Sequence, residues 1–397
     1  MDVIAYTPLR ACPICKKRSG AIMGRLEYAL FDDLDMPGTK TLICCAACGM
    51  MYDDVAFTEA QLNEYYRRNE HYAVSSIGGT GGLSADNRNR YDRIIDYLHA
   101  DPKRVILDVG CGQGGFVAQC LRRGFSAAGI EPSEKSRNVG LNAGLDVYSS
   151  IDEFAAKYPD VRIGTVVLSH VLEHLMNPLQ MLKELALYAP EALVYIEVPD
   201  AASYLTPYAI RWHELYYEHL NHFCKESLLS FAADSGVEVM RAEFAPFSQN
   251  QADVQCLIIV GRFGDLPDHQ AQRPNLVKSP RFTLPQLPHF DLPRDNRPVA
   301  LWGISQYAML LMGSLPQLRR VDRLFDASSA KIGRMIRGII VEDAKEIGTL
   351  SNMTTLVLPY SQHLQQILKE IEESASFAGE IVHMQSSGNS VTLFRRT

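Results

Sequence analysis

The chain has little of what ties a protein to a polyanion or a lipid surface. No block of basic residues occurs in its 397 positions, and 39 Lys+Arg stand against 46 Asp+Glu, a net charge of −7. That balance argues against nucleic-acid binding and against attraction to an anionic membrane surface. No window approaches 18 uninterrupted apolar residues, so no membrane-spanning helix is expected. Met1-Asp-Val-Ile-Ala-Tyr6 lacks the basic start and apolar core of a signal peptide, and the expectation is a soluble, cytoplasmic protein. Late in the chain, Gly303 to Gly313 reads G-I-S-Q-Y-A-M-L-L-M-G, without a G-x-G-x-x-G, which argues against a dinucleotide site there.

The nine cysteines form two groups. Cys111, Cys120, Cys224 and Cys256 are scattered and read as buried thiols. Cys12-Pro-Ile-Cys15 and Cys45-Ala-Ala-Cys48 are two C-x2-C pairs, the spacing of a tetrahedral four-cysteine zinc site. Two disulfides or free thiols are the alternatives, and a chain without an export signal disfavours disulfides. Four thiolates leave no open coordination position, so such a zinc would be structural. Cys44 breaks the spacing and is read as a spare.

The most informative stretch is Val105-Ile-Leu-Asp-Val-Gly-Cys-Gly-Gln-Gly-Gly-Phe116. A buried-strand pattern carries Asp108 and runs into a turn with Gly110, Gly112 and Gly114 at alternate positions. Glycines suit a tight turn at the carboxyl end of a strand, where a ligand must approach the backbone. A second strand pattern, Phe125 to Ile130, ends at Glu131, 17 residues beyond Gly114. A carboxylate there can accept hydrogen bonds from ribose hydroxyls.

These runs, LDVGCGQGGF followed by GIEPS, resemble the first two motifs of class I S-adenosylmethionine-dependent methyltransferases. Thr165-Val-Val-Leu-Ser-His-Val-Leu-Glu-His174 looks like that family's fourth strand with its turn, and Glu191 to Pro199 like its fifth. The resemblance implies an α/β Rossmann-like core that binds S-adenosylmethionine through Asp108, Gly110, Gly112, Gly114, Glu131 and Ser169.

Composition divides the chain into four stretches. Residues 1–75 hold the cysteine pairs and a Tyr-rich helix from Thr58. Residues 76–264 hold the methyltransferase-like core, in which Ser84 caps a helix bearing Tyr91, Ile94, Ile95 and Leu98. Asn177-Pro178 opens the helix after the fourth strand, with asparagine as cap. Val237–Phe247 and Asp253–Arg262 close the core as an antiparallel pair. Residues 265–298 contain seven prolines in 34 positions and read as an extended linker. Residues 299–397 read as a smaller α/β domain.

Directly after the fifth strand comes Arg211-Trp-His-Glu-Leu-Tyr-Tyr-Glu-His-Leu-Asn-His-Phe223. Its position places it beside the ligand crevice of an open α/β sheet. The competing reading is a packing helix with Trp212, Tyr216, Leu220 and Phe223 in one stripe. The order of cysteine module, methyltransferase core, Tyr-x-Glu-His segment and C-terminal α/β domain resembles the sugar C-methyltransferases acting on nucleotide-activated 4-ketohexoses. That resemblance implies active-site roles for Tyr216, Glu218 and His219, for His174 after the fourth strand, and for Tyr72. It implies His219 as the base that removes a proton beside the ketone, with Tyr216 and His174 stabilising the enolate. Two other readings stay open: an O- or N-methyltransferase on another small molecule, and a non-catalytic protein-binding partner.

Overall fold

The computed structural model describes residues 6–68, 82, 87–98, 100–205, 215–249, 252–264, 284, 287, 292, 297–359, 364–373, 377, 379–387 and 390–396. Tyr72, Ser84 and most of the proline-rich stretch lie outside them.

The central sheet follows from runs such as Val105-Ile-Leu-Asp-Val109, which is apolar on both faces and therefore wants cover on both. It contains β4 (Val105–Val109), β5 (Ala127–Ile130), β6 (Val147–Tyr148), β7 (Ile163–Ser169) and β8 (Leu193–Pro199), all parallel. The long antiparallel pair β10 (Val237–Gln249) and β11 (Ala252–Phe263) completes one edge, in the order β10-β11-β8-β7-β4-β5-β6. From β4 the chain winds first to β5 and β6, then to β7 and β8 on the other side. The winding reverses between β4 and β7, and in such sheets the ligand crevice opens at the carboxyl ends of those strands.

The cysteine module is a second sheet, of β1 (Gly20–Glu27), β2 (Thr39–Cys45) and β3 (Met51–Asp54). Its fourth strand is lent by the core: β9 (Asn221–His222) pairs with β3, His222 opposite Met51.

A third sheet runs β14-β15-β13-β12-β16-β17-β18, with β12 (Val299–Trp302), β13 (Arg323–Asp326), β14 (Met335–Ile336), β15 (Ile339–Asp343), β16 (Thr355–Leu358), β17 (Glu380–Ser387) and β18 (Ser390–Arg396). Its helix Gln306–Ser314 packs on β1 so closely that a Cβ on Gly313 would stand 2.0 Å from the Glu27 carbonyl. One apolar core runs through Leu26, Leu42, Tyr65, Tyr217, Leu301 and Leu311. The second and third sheets therefore share an interior.

Two local expectations are corrected. Asn177 occupies the cap position before Pro178, but its side chain makes no cap bond; its amide donates instead to Glu59, at 3.5 Å. The described part of the 211–223 segment is not a helix: Leu215–Leu220 forms a turn and Asn221–His222 a strand, so the helical stripe is not built.

Candidate active site

The loop after β4 turns through three glycines with positive φ, at +73°, +57° and +81° for Gly110, Gly112 and Gly114, a region that side-chain-bearing residues rarely adopt. Glu131, just past β5, reaches back to this loop. Its two oxygens accept from the Gly112 N–H at 2.9 Å and the Ser133 N–H at 2.8 Å. Each oxygen retains a lone pair, an arrangement suited to the two hydroxyls of a ribose. Asp108 lies buried at the end of β4; burial pushes its pKa up to about 8, with nearby Arg90 opposing.

Ser169, at the end of β7, is held in a buried ionic cluster. Its hydroxyl donates to Glu197 at 2.7 Å and accepts from Arg90, while Arg93 donates to the other Glu197 oxygen at 2.7 Å. Burial works against the charged Glu197, but Arg90, His170 and Arg93 outweigh it and hold the carboxyl at about 2. Ser169 is thus a fixed wall of the crevice. The next residue, His170, has φ +57°, an uncommon value for a non-glycine residue.

Beyond that wall the two predicted histidines meet. The rings of His174 and His219 stand 4.8 Å apart edge to face, and Tyr216 stands 5.1 Å from His219 in the same manner. The buried carboxylate of Glu173 lies 3.2 Å from His170 Nδ1 and converges with His174 and His219. Glu218 points elsewhere. It accepts from Tyr65 at 2.8 Å and from Gln306, on the C-terminal domain, at 2.6 Å. These bonds tie the turn to the Tyr-rich helix and to the C-terminal sheet. Tyr72 lies outside the described residues.

Sequence reasoning passed over several residues here. Tyr66 stands 3.3 Å from His174 Nδ1 through its hydroxyl. Desolvation, with Glu218, Glu173 and Glu131 adding to it, raises its pKa well above the usual tyrosine value, so the hydroxyl keeps its proton. The Tyr-rich helix was the available signal. Arg10, two residues before Cys12, donates to the carbonyls of Leu220 at 3.0 Å, Leu175 at 3.2 Å and Met176 at 2.8 Å. It thereby joins the two histidine-bearing turns. Lys40 donates to three carbonyls of the 216–219 turn. Nothing in the local sequence marks either cation.

In the module of the second sheet, Cys12, Cys15, Cys45 and Cys48 bring their sulfurs within 4.8 Å of one another, with 3.4 Å between Cys12 and Cys48 and 3.5 Å between Cys15 and Cys45. None of the chain's cysteines is in a disulfide. Thiolates at about 2.3 Å around one tetrahedral ion would lie roughly 3.8 Å apart, so the quartet has the dimensions of such a site. Cys44 is not among the four; its thiol faces the Gly49 carbonyl at 3.8 Å.

Residues 83–242 match the family model of a methyltransferase domain. The chain carries a methyltransferase domain of the class I S-adenosylmethionine-dependent fold. It is 40% identical over 48 residues to a probable cobalt-precorrin-6B C(15)-methyltransferase (decarboxylating) of Methanococcus maripaludis; that stretch is 12% of this chain and 26% of the relative. Among solved structures, the [4+2]-cyclase SpnF is similar at 17% identity, over 53% of this chain and 97% of that one, with a TM-score of 0.42. Magnesium protoporphyrin IX methyltransferase of Synechocystis PCC 6803, with S-adenosylhomocysteine bound, is similar at 16% identity over 51% of this chain and 99% of that one, TM-score 0.38. Among the described residues no helix is long and apolar enough to cross a membrane.

Proposed function

We propose that this chain is an S-adenosylmethionine-dependent C-methyltransferase that methylates carbon beside the ketone of a nucleotide-activated hexose. The observation that carries the reading is the meeting of His219, His174 and Tyr216 at the carboxyl end of a sheet whose glycine loop and Glu131 suit a nucleoside. A carbon acid needs exactly one kind of help first, a base of near-neutral pKa held at the proton, and histidine is the usual one. His219 takes the proton and becomes imidazolium, and the C–H electron pair moves onto the ketone oxygen as an enolate. Tyr216 and His174 donate hydrogen bonds to that oxygen, which stabilises charge only as it develops. Tyr66, kept protonated beside His174 Nδ1, fixes that ring.

S-adenosylmethionine, held by Gly110, Gly112, Gly114, Glu131 and Asp108, would supply an electrophilic sulfonium methyl whose bonding pair stays with sulfur. We also assign a structural zinc to Cys12, Cys15, Cys45 and Cys48, and a reducing, cytoplasmic setting that suits thiolate ligands.

The test is exchange of the proton beside the ketone. Incubated in deuterated water with S-adenosylhomocysteine and a nucleoside diphosphate 4-keto-6-deoxyhexose, the protein should wash deuterium into the sugar without methyl transfer. His219→Ala should reduce that washout and the methyl transfer by about 10²-fold or more, the contribution of a positioned base. Tyr216→Phe should cost less, because His174 still donates. Full activity in His219→Ala would overturn the assignment; methyl transfer without washout would favour an oxygen or nitrogen acceptor.

A further inference from the structure

A buried turn must find donors for its carbonyls, since each one left without a partner is costly. Within the 216–219 turn the His219 N–H donates to the Tyr216 carbonyl at 3.1 Å. The carbonyls of Tyr216, Tyr217 and His219 all converge on one atom, Lys40 Nζ, at 2.9, 3.0 and 2.9 Å. An ammonium has three N–H groups, and here three of the turn's four carbonyls and the Asp53 carboxylate surround and share them.

Lys40 belongs to β2, in the cysteine module, and its side chain has 0% exposure. Burying an ammonium is expensive unless it is paired. Asp53 supplies the charge, 2.5 Å from Nζ. The strand register explains how: Asp53 on β3 stands opposite Leu42, so Lys40, two residues back, shares its face diagonally. The rings of Tyr28 and Tyr217 flank the ammonium at 5.5 and 5.6 Å. With its charge neutralised by Asp53, Lys40 has geometry left to offer, and all three of its carbonyl contacts lie in the turn that carries His219 and Tyr216.

We infer that Lys40 is a positioning residue for His219: its ammonium gathers the carbonyls of Tyr216, Tyr217 and His219 and fixes the imidazole against His174. This rests on the reading of His219 as the base. It gives the cysteine module a task beyond stability, because the clamp on the reacting turn is built into that module's second strand. Lys40 touches no substrate and acts through the turn. A misplacement of about 1 Å in a reacting group costs on the order of 10²-fold in rate.

The single variant Lys40→Met strands the buried Asp53 carboxylate and can fail to fold. The paired variant Lys40→Met with Asp53→Leu removes both charges together, an exchange that buried ion pairs commonly tolerate. Both are studied as the full chain bound to S-adenosylhomocysteine, against wild type. The paired variant takes Lys40 from the Tyr217 and His219 carbonyls and Asp53 from His222, so it should unfold at a lower temperature than wild type, yet stay folded and bind S-adenosylhomocysteine within about threefold. Its amides at 216–220 should exchange at least about tenfold faster, while those of β4 and β5 stay unchanged. The NMR signal of the His219 ring should shift or broaden. With the nucleoside diphosphate 4-keto-6-deoxyhexose, kcat for deuterium washout should fall about 10²-fold with KM little altered.

An unchanged His219 signal with unchanged exchange at 216–220 overturns the inference. Loss of fold in the paired variant overturns it too, since the pair would then hold the module and not the turn. The ring and amide measurements need no acceptor. If wild type itself shows no washout, the enolate reading fails while these two still decide the role of Lys40.

Discussion

Removing the Glu131 carboxylate should break nucleoside binding, and the structure says how far. Its oxygens accept from the Gly112 and Ser133 N–H groups at 2.9 and 2.8 Å and keep lone pairs for a ribose diol. A hydrogen bond to a charged group contributes about 1.5–3 kcal/mol, so losing two ribose contacts costs at least about 3 kcal/mol. That corresponds to roughly a 10²-fold rise in Kd. Glu131→Ala should therefore bind S-adenosylhomocysteine about 10²-fold more weakly by isothermal titration calorimetry. Glu131→Gln is the sharper variant. An amide has one carbonyl oxygen, so only one of the two backbone N–H groups keeps its acceptor, and the other meets an NH2 donor. The glutamine should behave nearer to alanine than its shape suggests. Wild-type affinity in Glu131→Gln, or a loss under threefold in Glu131→Ala, would refute the ribose assignment and leave Glu131 as a brace for the glycine loop.

Two further outcomes follow from buried groups. Asp108, raised to about 8, is largely protonated at neutral pH, and a ligand carrying an ammonium favours its ionised form. Affinity for S-adenosylhomocysteine should therefore rise as pH increases from about 6 to 8, with proton release seen as a buffer-dependent binding enthalpy, and both should vanish in Asp108→Asn. Metal analysis should return one zinc per chain, lost in Cys12→Ser with Cys48→Ser; amides of β1–β3 should then lose protection from exchange, because a structural zinc supplies folding free energy to its module.

The legible part of this molecule is the part whose signals are local. Val105–Leu107 and Val166–Leu168 are apolar runs that suit strands covered on both faces, and the glycines from Gly110 to Gly114 mark the turn after the first. Two C-x2-C pairs announce a cluster by spacing alone. The site beyond the cofactor loop is another matter. Tyr52 pairs with Asn221 across the whole core, and no local period signals a contact of that range. Lys40 reads as a solvated lysine on a short strand, since burial and three carbonyl partners are properties of the fold. The Tyr216–His219 segment is marked by its place after the fifth strand and by resemblance to a family motif, yet its form as a turn depends on donors from elsewhere. Tyr66 was within reach, one position from Tyr65 on a helix already noted for its tyrosines.

The domain matched to methyltransferases, residues 83–242, holds the glycine loop, Glu131, His174 and His219, and Asn221 within it bonds the Leu172 and Leu175 carbonyls, but further contacts to these turns come from outside it. Arg10 and Lys40 come from the cysteine module, Tyr65 and Tyr66 from the helix after it, and Gln306 from the C-terminal sheet. Gln306 is the most telling of these. Its amide donates to Glu218 at 2.6 Å while its carbonyl accepts from the Tyr217 N–H at 2.8 Å, so one side chain of the third sheet holds two consecutive residues of the turn. A turn held by a lysine of the cysteine module and a glutamine of the C-terminal sheet, as well as by the Leu220 N–H to the Glu173 carbonyl, takes its conformation from three parts of the chain. The core supplies the sheet; the geometry of the 216–219 turn belongs to the assembled chain.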